Sequence, residues 1–213
     1  MSVSHKSRRP YDASLRQARA ARSRDEVLAQ ARELFLVGGY AATTIAGIAQ
    51  ASAVSAETVY KAFGGKPGIV RAIYERSLLG SAPGSAEMRS DAAQLGATDP
   101  RTLFARFGEL SAEVAPLTSP MMRLIRDAAA GGDADMTILL HDTERQRYER
   151  MRHNAETLER RGFLRTGTTA AHAADVMWIY TADSVFDNLV VARQWPLSAY
   201  AEFISDALVA ALL

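Results

Sequence analysis

Apolar residues recur at helical spacing along almost the whole chain. From about Ala13 to Val37, the positions Val27, Leu28, Ala31, Leu34 and Phe35 fall on one side of a helix, and Gly38-Gly39 supplies the left-handed residue that closes it. Two short segments follow. Thr44 to Ala51 carries Ile45, Ile48 and Ala49 at i, i+3, i+4, and Ser55 to Phe63 comes after the turn Ser52-Ala53-Val54. Gly64-Gly65-Lys66 breaks the pattern, and Pro67 opens another helix that turns Ile69, Val70, Ile73 and Tyr74 inward. Residues 81–100, rich in Gly, Ser, Ala and Asp, read as a linker. Helical patterns resume over about 101–115, 119–130, 136–161, 169–194 and 198–213, and Arg160-Arg161-Gly162 is a stop signal. No stretch alternates polar and apolar residues as a strand would, so the expected fold is all-α, with units at 1–80 and 101–213.

Composition narrows the function. The chain has 213 residues, 48% of them hydrophobic, which is enough for a genuine core. It has no cysteine, which excludes a disulfide scaffold, a thiolate zinc site and a cysteine nucleophile. The longest apolar run, Ala207 to Leu213, is far shorter than a membrane span. The N-terminus is basic with no apolar stretch behind it, so a soluble cytoplasmic protein with no membrane partner is expected. The net charge of +1 conceals an asymmetry: residues 1–80 carry 12 Lys+Arg against 6 Asp+Glu, and residues 81–213 carry 13 against 18. A basic front suggests a polyanionic partner, although charge alone fits a solvated helix surface equally well.

Two short helices joined by a three-residue turn and packed under a longer helix make a helix-turn-helix, whose second helix enters the DNA major groove. Ser55 would cap that second helix. Val54, Val59 and Phe63 would bury it against Ile45 and Ile48, leaving Ala56, Glu57, Thr58 and Lys61 outward. Thr44 would cap the preceding helix, where a phosphate can approach free N–H groups, and Lys66 offers a second anion position. Tyr60 reads as an exposed phenol within reach of a phosphate, because Val59 and Phe63 already supply the packing. Glu57 either complements the helix dipole or accepts from cytosine. Arg8, Arg9, Arg16, Arg19, Arg22 and Arg24 would follow the DNA or remain solvated.

The run Gly39-Tyr40-Ala-Ala-Thr43-Thr44-Ile45-Ala-Gly-Ile48-Ala49, followed by Val54-Ser55-Ala-Glu-Thr58-Val59-Tyr60-Lys-Ala-Phe63-Gly-Gly-Lys66, resembles the DNA-binding domain of TetR/AcrR-type transcriptional regulators. The resemblance covers roughly residues 24–78. It implies a homodimeric repressor of a double-stranded DNA operator, usually released by a small molecule, with a fourth helix leading into a larger helical domain. By that resemblance Thr44, Tyr60 and Lys66 match phosphate-contacting positions, and 56, 57 and 61 match base-reading ones. Ala46, Gly47 and Ala56 are small where some members carry long polar side chains, which leaves direct readout to Glu57, Thr58 and Lys61.

Enzyme signals are missing. Gly64-Gly65-Lys66 lacks the first glycine and the Ser/Thr of a phosphate loop, and His5, His141, His153 and His172 form no metal-binding pair, so no catalytic residue, metal or cofactor is expected. The charged residues of 127–159, such as Glu156 and Arg160, read as a solvated face. The last helix carries one apolar stripe through Tyr200, Phe203, Ile204, Ala207, Leu208, Ala211 and Leu212. The helix before it has a wide apolar arc through Met177, Trp178, Tyr180, Val185 and Leu189. Both would pack on their own core and on a second subunit, with Leu208 in that shared surface. Pocket candidates with large or adaptable side chains are Phe104, Phe107, Met121, Met122, Arg126, Tyr148, Met151, Met177, Trp178 and Phe186. Asp183 and Asp187 are available to fix a polar ligand group. The competing reading is a small-molecule-binding or interaction module whose helix-turn-helix is degenerate.

Overall fold

The computed structural model describes residues 11–80 and 84–213, with side chains from Gln17 onward. Every regular element among them is helical. The basic arm expected at 1–12, with Arg8 and Arg9, lies outside the described residues, as does the side chain of Arg16. The chain divides into two compact units, residues 1–69 and 70–213.

The first unit begins with helix α1 (Tyr11–Ala42), which breaks at Gly39, where φ is 77°. The Thr43 hydroxyl braces the break by donating to the carbonyls of Gly39 and Leu34, at 2.8 and 3.2 Å. Helix α2 (Ile45–Ala51) is capped by Thr44, whose Oγ1 accepts from the Gly47 N–H at 3.0 Å. Helix α3 (Ala56–Phe63) is capped by Ser55, whose Oγ accepts from the Thr58 N–H at 3.1 Å. Between them Ala53 takes a left-handed φ of 53°, a conformation that side-chain-bearing residues enter at some cost. Val59, Ile45, Ile48, Val27, Ala31 and Phe35 form the shared core, all buried. Gly64, left-handed at φ 74°, ends α3, and helix α4 (Lys66–Ser77) starts two residues later. The first turn of α4 is pressed against the end of α3: a Cβ on Gly68 would lie 1.8 Å from the Phe63 carbonyl oxygen.

Among the described residues the second unit holds the remainder of α4, six further α-helices and one π-helical turn. Residues 81–100, expected as a linker, contain helix α5 (Ala86–Gly96), capped by Ser85. It is held because Gln94, itself buried, donates to Asn154 Oδ1 at 2.9 Å. The patterns at 101–115 and 119–130 are one helix, α6 (Pro100–Ala130), which runs through Pro116 and Pro120. Each interior proline costs about 3 kcal/mol, but this helix buries Leu103, Phe104, Phe107, Met121, Met122, Leu124 and Ile125, each worth about 1.5–3 kcal/mol. Packing therefore outweighs the backbone defect. Helix α7 (Ala134–Arg160) follows, with Asp133 as its cap.

The continuous helix expected at 169–194 is instead three pieces: α8 (Ala170–Tyr180), α9 (Asp183–Phe186) and a π-helical turn, Asp187–Ala192. The break falls where Thr181 caps α8 and Ala182 turns extended, so the wide apolar arc is divided between two segments. Helix α10 (Leu197–Leu212) buries Tyr200, Ile204, Leu208 and Leu212 within its own unit. Leu208 is fully buried there, not part of an exposed stripe awaiting a second subunit. The 127–159 face also differs from expectation, because Arg147 and Arg150 are only 15% and 17% exposed and are not solvated. Glu156 pairs with Arg152 at 3.9 Å, and Arg160 turns to Thr157.

Helices α6 and α10 cross so closely that a Cβ on Gly108 would lie 2.2 Å from the Ala201 carbonyl oxygen. On helix propensity alone Gly108→Ala should stabilise by about 1 kcal/mol. The overlap with backbone reverses the sign, and denaturant unfolding should show a net loss of roughly 1–3 kcal/mol. A stabilised variant would mean that the two helices separate freely.

Candidate functional site

Helix α3 presents one exposed face. Ser55, Ala56, Glu57, Thr58, Tyr60 and Lys61 are all exposed, and Tyr60 keeps 56% of its surface in solvent. Val59 alone is fully buried, which fixes the rotation of the helix about its axis. The Thr58 hydroxyl is within 2.8 Å of Ser55 Oγ, so part of its hydrogen-bonding capacity is committed to the cap. Thr44 is exposed at the start of α2. Lys66 stands apart from this exposed set. It is half-buried, donates to the Tyr40 carbonyl at 2.8 Å and lies 4.2 Å from the centre of the Tyr40 ring. A lysine ammonium has three donors, so two remain for an anion.

Arg24 was grouped with the arm, but it serves the recognition helix itself. Its guanidinium donates to the Ala62 carbonyl at 2.9 Å and stacks 4.3 Å over the Phe63 ring. A cation at that carbonyl end complements the helix dipole. The contact of Arg24 with the end of α3 and the close approach at Gly68 depend on tertiary packing that spacing in the sequence does not show.

The second unit encloses a cavity of about 370 Å³, of the size that holds a drug-like molecule. Of the expected residues, Phe107, Met151 and Met177 line it. Phe104, Met121, Met122 and Phe186 are buried but do not line it. Tyr148 is exposed and donates to Asp175 at 3.0 Å, while Trp178 lies edge-on to it beneath the Arg147 guanidinium. Asp187 is bonded by Ser119 and Arg123. Arg126 reaches the cavity wall indirectly, 3.0 Å from Glu144 and 3.7 Å from Asp183.

The polar end of the cavity was partly missed. The sequence offers Asp183 as a ligand group and places Tyr74 and Tyr200 on apolar faces; all three are buried and line the cavity. Burial holds the Asp183 carboxyl above the usual carboxylate range, against the pull of Arg126 and of the Thr118 hydroxyl, which donates at 3.1 Å. Burial, reinforced by the Asp183 charge, raises both phenols well above their ordinary value. Among the described residues no cluster of His, Asp and Glu is arranged to hold a metal ion.

A helix-turn-helix with an outward recognition face, on a chain whose second helical unit encloses a cavity, defines a DNA-binding transcriptional regulator. Residues 27–73 match the family described as bacterial regulatory proteins, tetR family. No curated protein matches the chain. Among solved structures it is similar to the SmeT–triclosan complex, with a TM-score of 0.71, 21% identity, and coverage of 90% of this chain and 91% of that one. It is also similar to NalD, the secondary repressor of the MexAB-OprM multidrug efflux pump in Pseudomonas aeruginosa, with a TM-score of 0.64, 19% identity, and 92% and 98% coverage. Salmonella enterica GusR gives a TM-score of 0.65 at 17% identity, with 89% and 95% coverage. At these identities the likeness is one of fold. No helix among the described residues is long and apolar enough to cross a membrane.

A carboxyl whose pKa is raised on folding binds its proton more tightly in the folded state. It therefore stabilises below its ordinary pKa, and that contribution is lost as the pH rises. Replacing Asp183 with Asn keeps an acceptor for Thr118 and removes the charge. At about pH 7 the variant should be at least as stable as wild type, and its lead should narrow as the pH falls toward about 4. Thermal melts across that range check the sign. A wild type more stable than Asp183→Asn at neutral pH would show that the Arg126 pair outweighs desolvation.

Proposed function

We propose that this regulator is a homodimeric repressor whose operator binding, through residues 1–80, is released when a small molecule occupies the cavity of the second unit. The observation that carries the reading is the joint presence of an exposed, uncommitted α3 face and a ligand-sized cavity in one chain. In this reading Thr44, Tyr60 and Lys66 hold phosphates, and Glu57, Thr58 and Lys61 meet base edges, with Ser55 and Ala56 at the close approach of α3 to the groove. Residues 101–213 dimerise and supply most of the ligand site.

Dimerisation is supported by apolar side chains left in solvent near the C-terminus: Ile179 at 58%, Val191 at 47% and Leu197 at 44%. A two-fold pair would set two recognition helices against successive major grooves, ~34 Å apart. Ligand coupling is supported by α4, because one continuous helix carries Lys66 in its first turn and Tyr74 on the cavity wall. A ligand that favours one setting of Tyr74 biases the whole helix. With an operator bound or released in this way, the chain needs no catalytic group, and the proposal is of a regulator without enzymatic activity.

Fluorescence anisotropy with the DNA upstream of the chain's own gene tests the reading. Wild type should bind that DNA well above random sequence. Lys61→Ala should lose about 1–3 kcal/mol at one operator position and little elsewhere. Tyr60→Phe should weaken operator and random DNA alike, because a phosphate contact carries no sequence information. Equal binding of wild type to operator and random DNA would favour the degenerate helix-turn-helix. A changed sequence preference in Tyr60→Phe would overturn its phosphate assignment.

A further inference from the structure

We infer that the cavity takes a lipophilic monocation: an apolar skeleton bearing one protonated amine, received by Asp183, Tyr74 and Tyr200. This rests on the cavity being the ligand site proposed above, and it specifies the chemistry of that site.

The walls are apolar, with Phe107, Leu110, Val114, Met151 and Met177 among them. Buried polar groups normally have partners, so those left without one mark where a ligand is accommodated. Asp183 is 6% exposed, and one of its carboxylate oxygens takes the Thr118 hydroxyl. The other has Arg126 at 3.7 Å, too far for a hydrogen bond, and that guanidinium already donates to Glu144 at 3.0 Å. Tyr74, at 6% exposure, and Tyr200, at 1%, form no hydrogen bond with another described residue. Both phenols line the same cavity as Asp183. A carboxylate oxygen and two phenol oxygens therefore offer acceptor capacity within one largely apolar chamber.

The donors of the lining are largely committed elsewhere. Ser111, Thr143 and Thr181 turn their hydroxyls back to the carbonyls of Phe107, Leu139 and Met177, at 2.8, 3.0 and 2.7 Å. Arg147 donates to Glu144 and to the Trp178 carbonyl, and Arg150 donates to Asp91 through one terminal nitrogen while its buried Nε has no partner. Asn154 contributes one neutral amide donor, its oxygen being taken by Gln94. Glu75 and Glu87 add further negative charge to the lining, whereas its two arginines are each paired with a carboxylate. An anionic ligand would meet this excess of acidic groups. A neutral alcohol would fill one acceptor and leave the charge on Asp183 as it was. A protonated amine brings up to three N–H donors and a compensating charge together, and such charge-assisted bonds are the stronger kind.

The test uses the full-length protein and three probes on one skeleton: 4-phenylbutylamine, 4-phenylbutan-1-ol and 4-phenylbutanoate. Isothermal titration calorimetry near neutral pH should rank the amine at least about tenfold tighter than the alcohol, with the carboxylate weakest. In Asp183→Asn, amine affinity should fall by about tenfold while alcohol affinity changes little. Alcohol or carboxylate binding as tightly as amine to wild type would overturn the cationic assignment and leave a ligand site standing. Undiminished amine binding by Asp183→Asn would place the amine elsewhere and overturn it equally. Absence of binding by all three probes would overturn this inference. If a panel of neutral and anionic apolar compounds also failed to bind, the ligand-release reading would fall with it. The wild-type ranking decides the matter by itself should the variant not fold.

Discussion

Steric exclusion at Gly68 sets the frame of the helix-turn-helix unit. The end of the recognition helix and the first turn of α4 approach until only a hydrogen fits between Gly68 and the Phe63 carbonyl. Gly64 provides the left-handed residue that lets the chain reverse there, and Arg24 closes the carbonyl end of α3 from the other side. The end of the recognition helix and the first turn of α4 are thereby held in close backbone contact, and packed interiors resist compression.

The second unit answers a different constraint, that of keeping a chamber open within a helical bundle. Its crossing of α6 on α10 is permitted by Gly108, and both helices contribute residues to the cavity wall. Its polar groups are arranged unevenly. Arg126, Glu144 and Arg147 satisfy one another, whereas Asp183 keeps one oxygen without a hydrogen bond. Desolvation is costly for such a group, and a protein retains it where something else provides the missing partner.

The helix-turn-helix was legible in the sequence because its determinants are local. Thr44 and Ser55 cap their own helices, glycine ends the first and third, and Val59 against Ile45 and Ile48 sets the outward face. The cavity was less legible. Separate patterns at 101–115 and 119–130 are one helix that long-range packing carries through Pro116 and Pro120, and an unbroken apolar pattern hid the break at Thr181-Ala182. Leu208 read as an interface residue because periodicity identifies a buried face without identifying what buries it. Tyr74 and Tyr200 were read as ordinary buried aromatics. Their hydroxyls acquire meaning only beside Asp183, far away in sequence, and no spacing rule connects the three.

If the α4 connection links the two sites, ligand and operator must affect each other by the same factor, since coupling free energy is reciprocal. The direct measurement is the dissociation constant of 4-phenylbutylamine for the wild-type protein, free and saturated with its operator DNA. The account predicts that operator weakens amine binding by the same factor by which saturating amine weakens operator binding. Amine affinity that is identical with and without operator would contradict it.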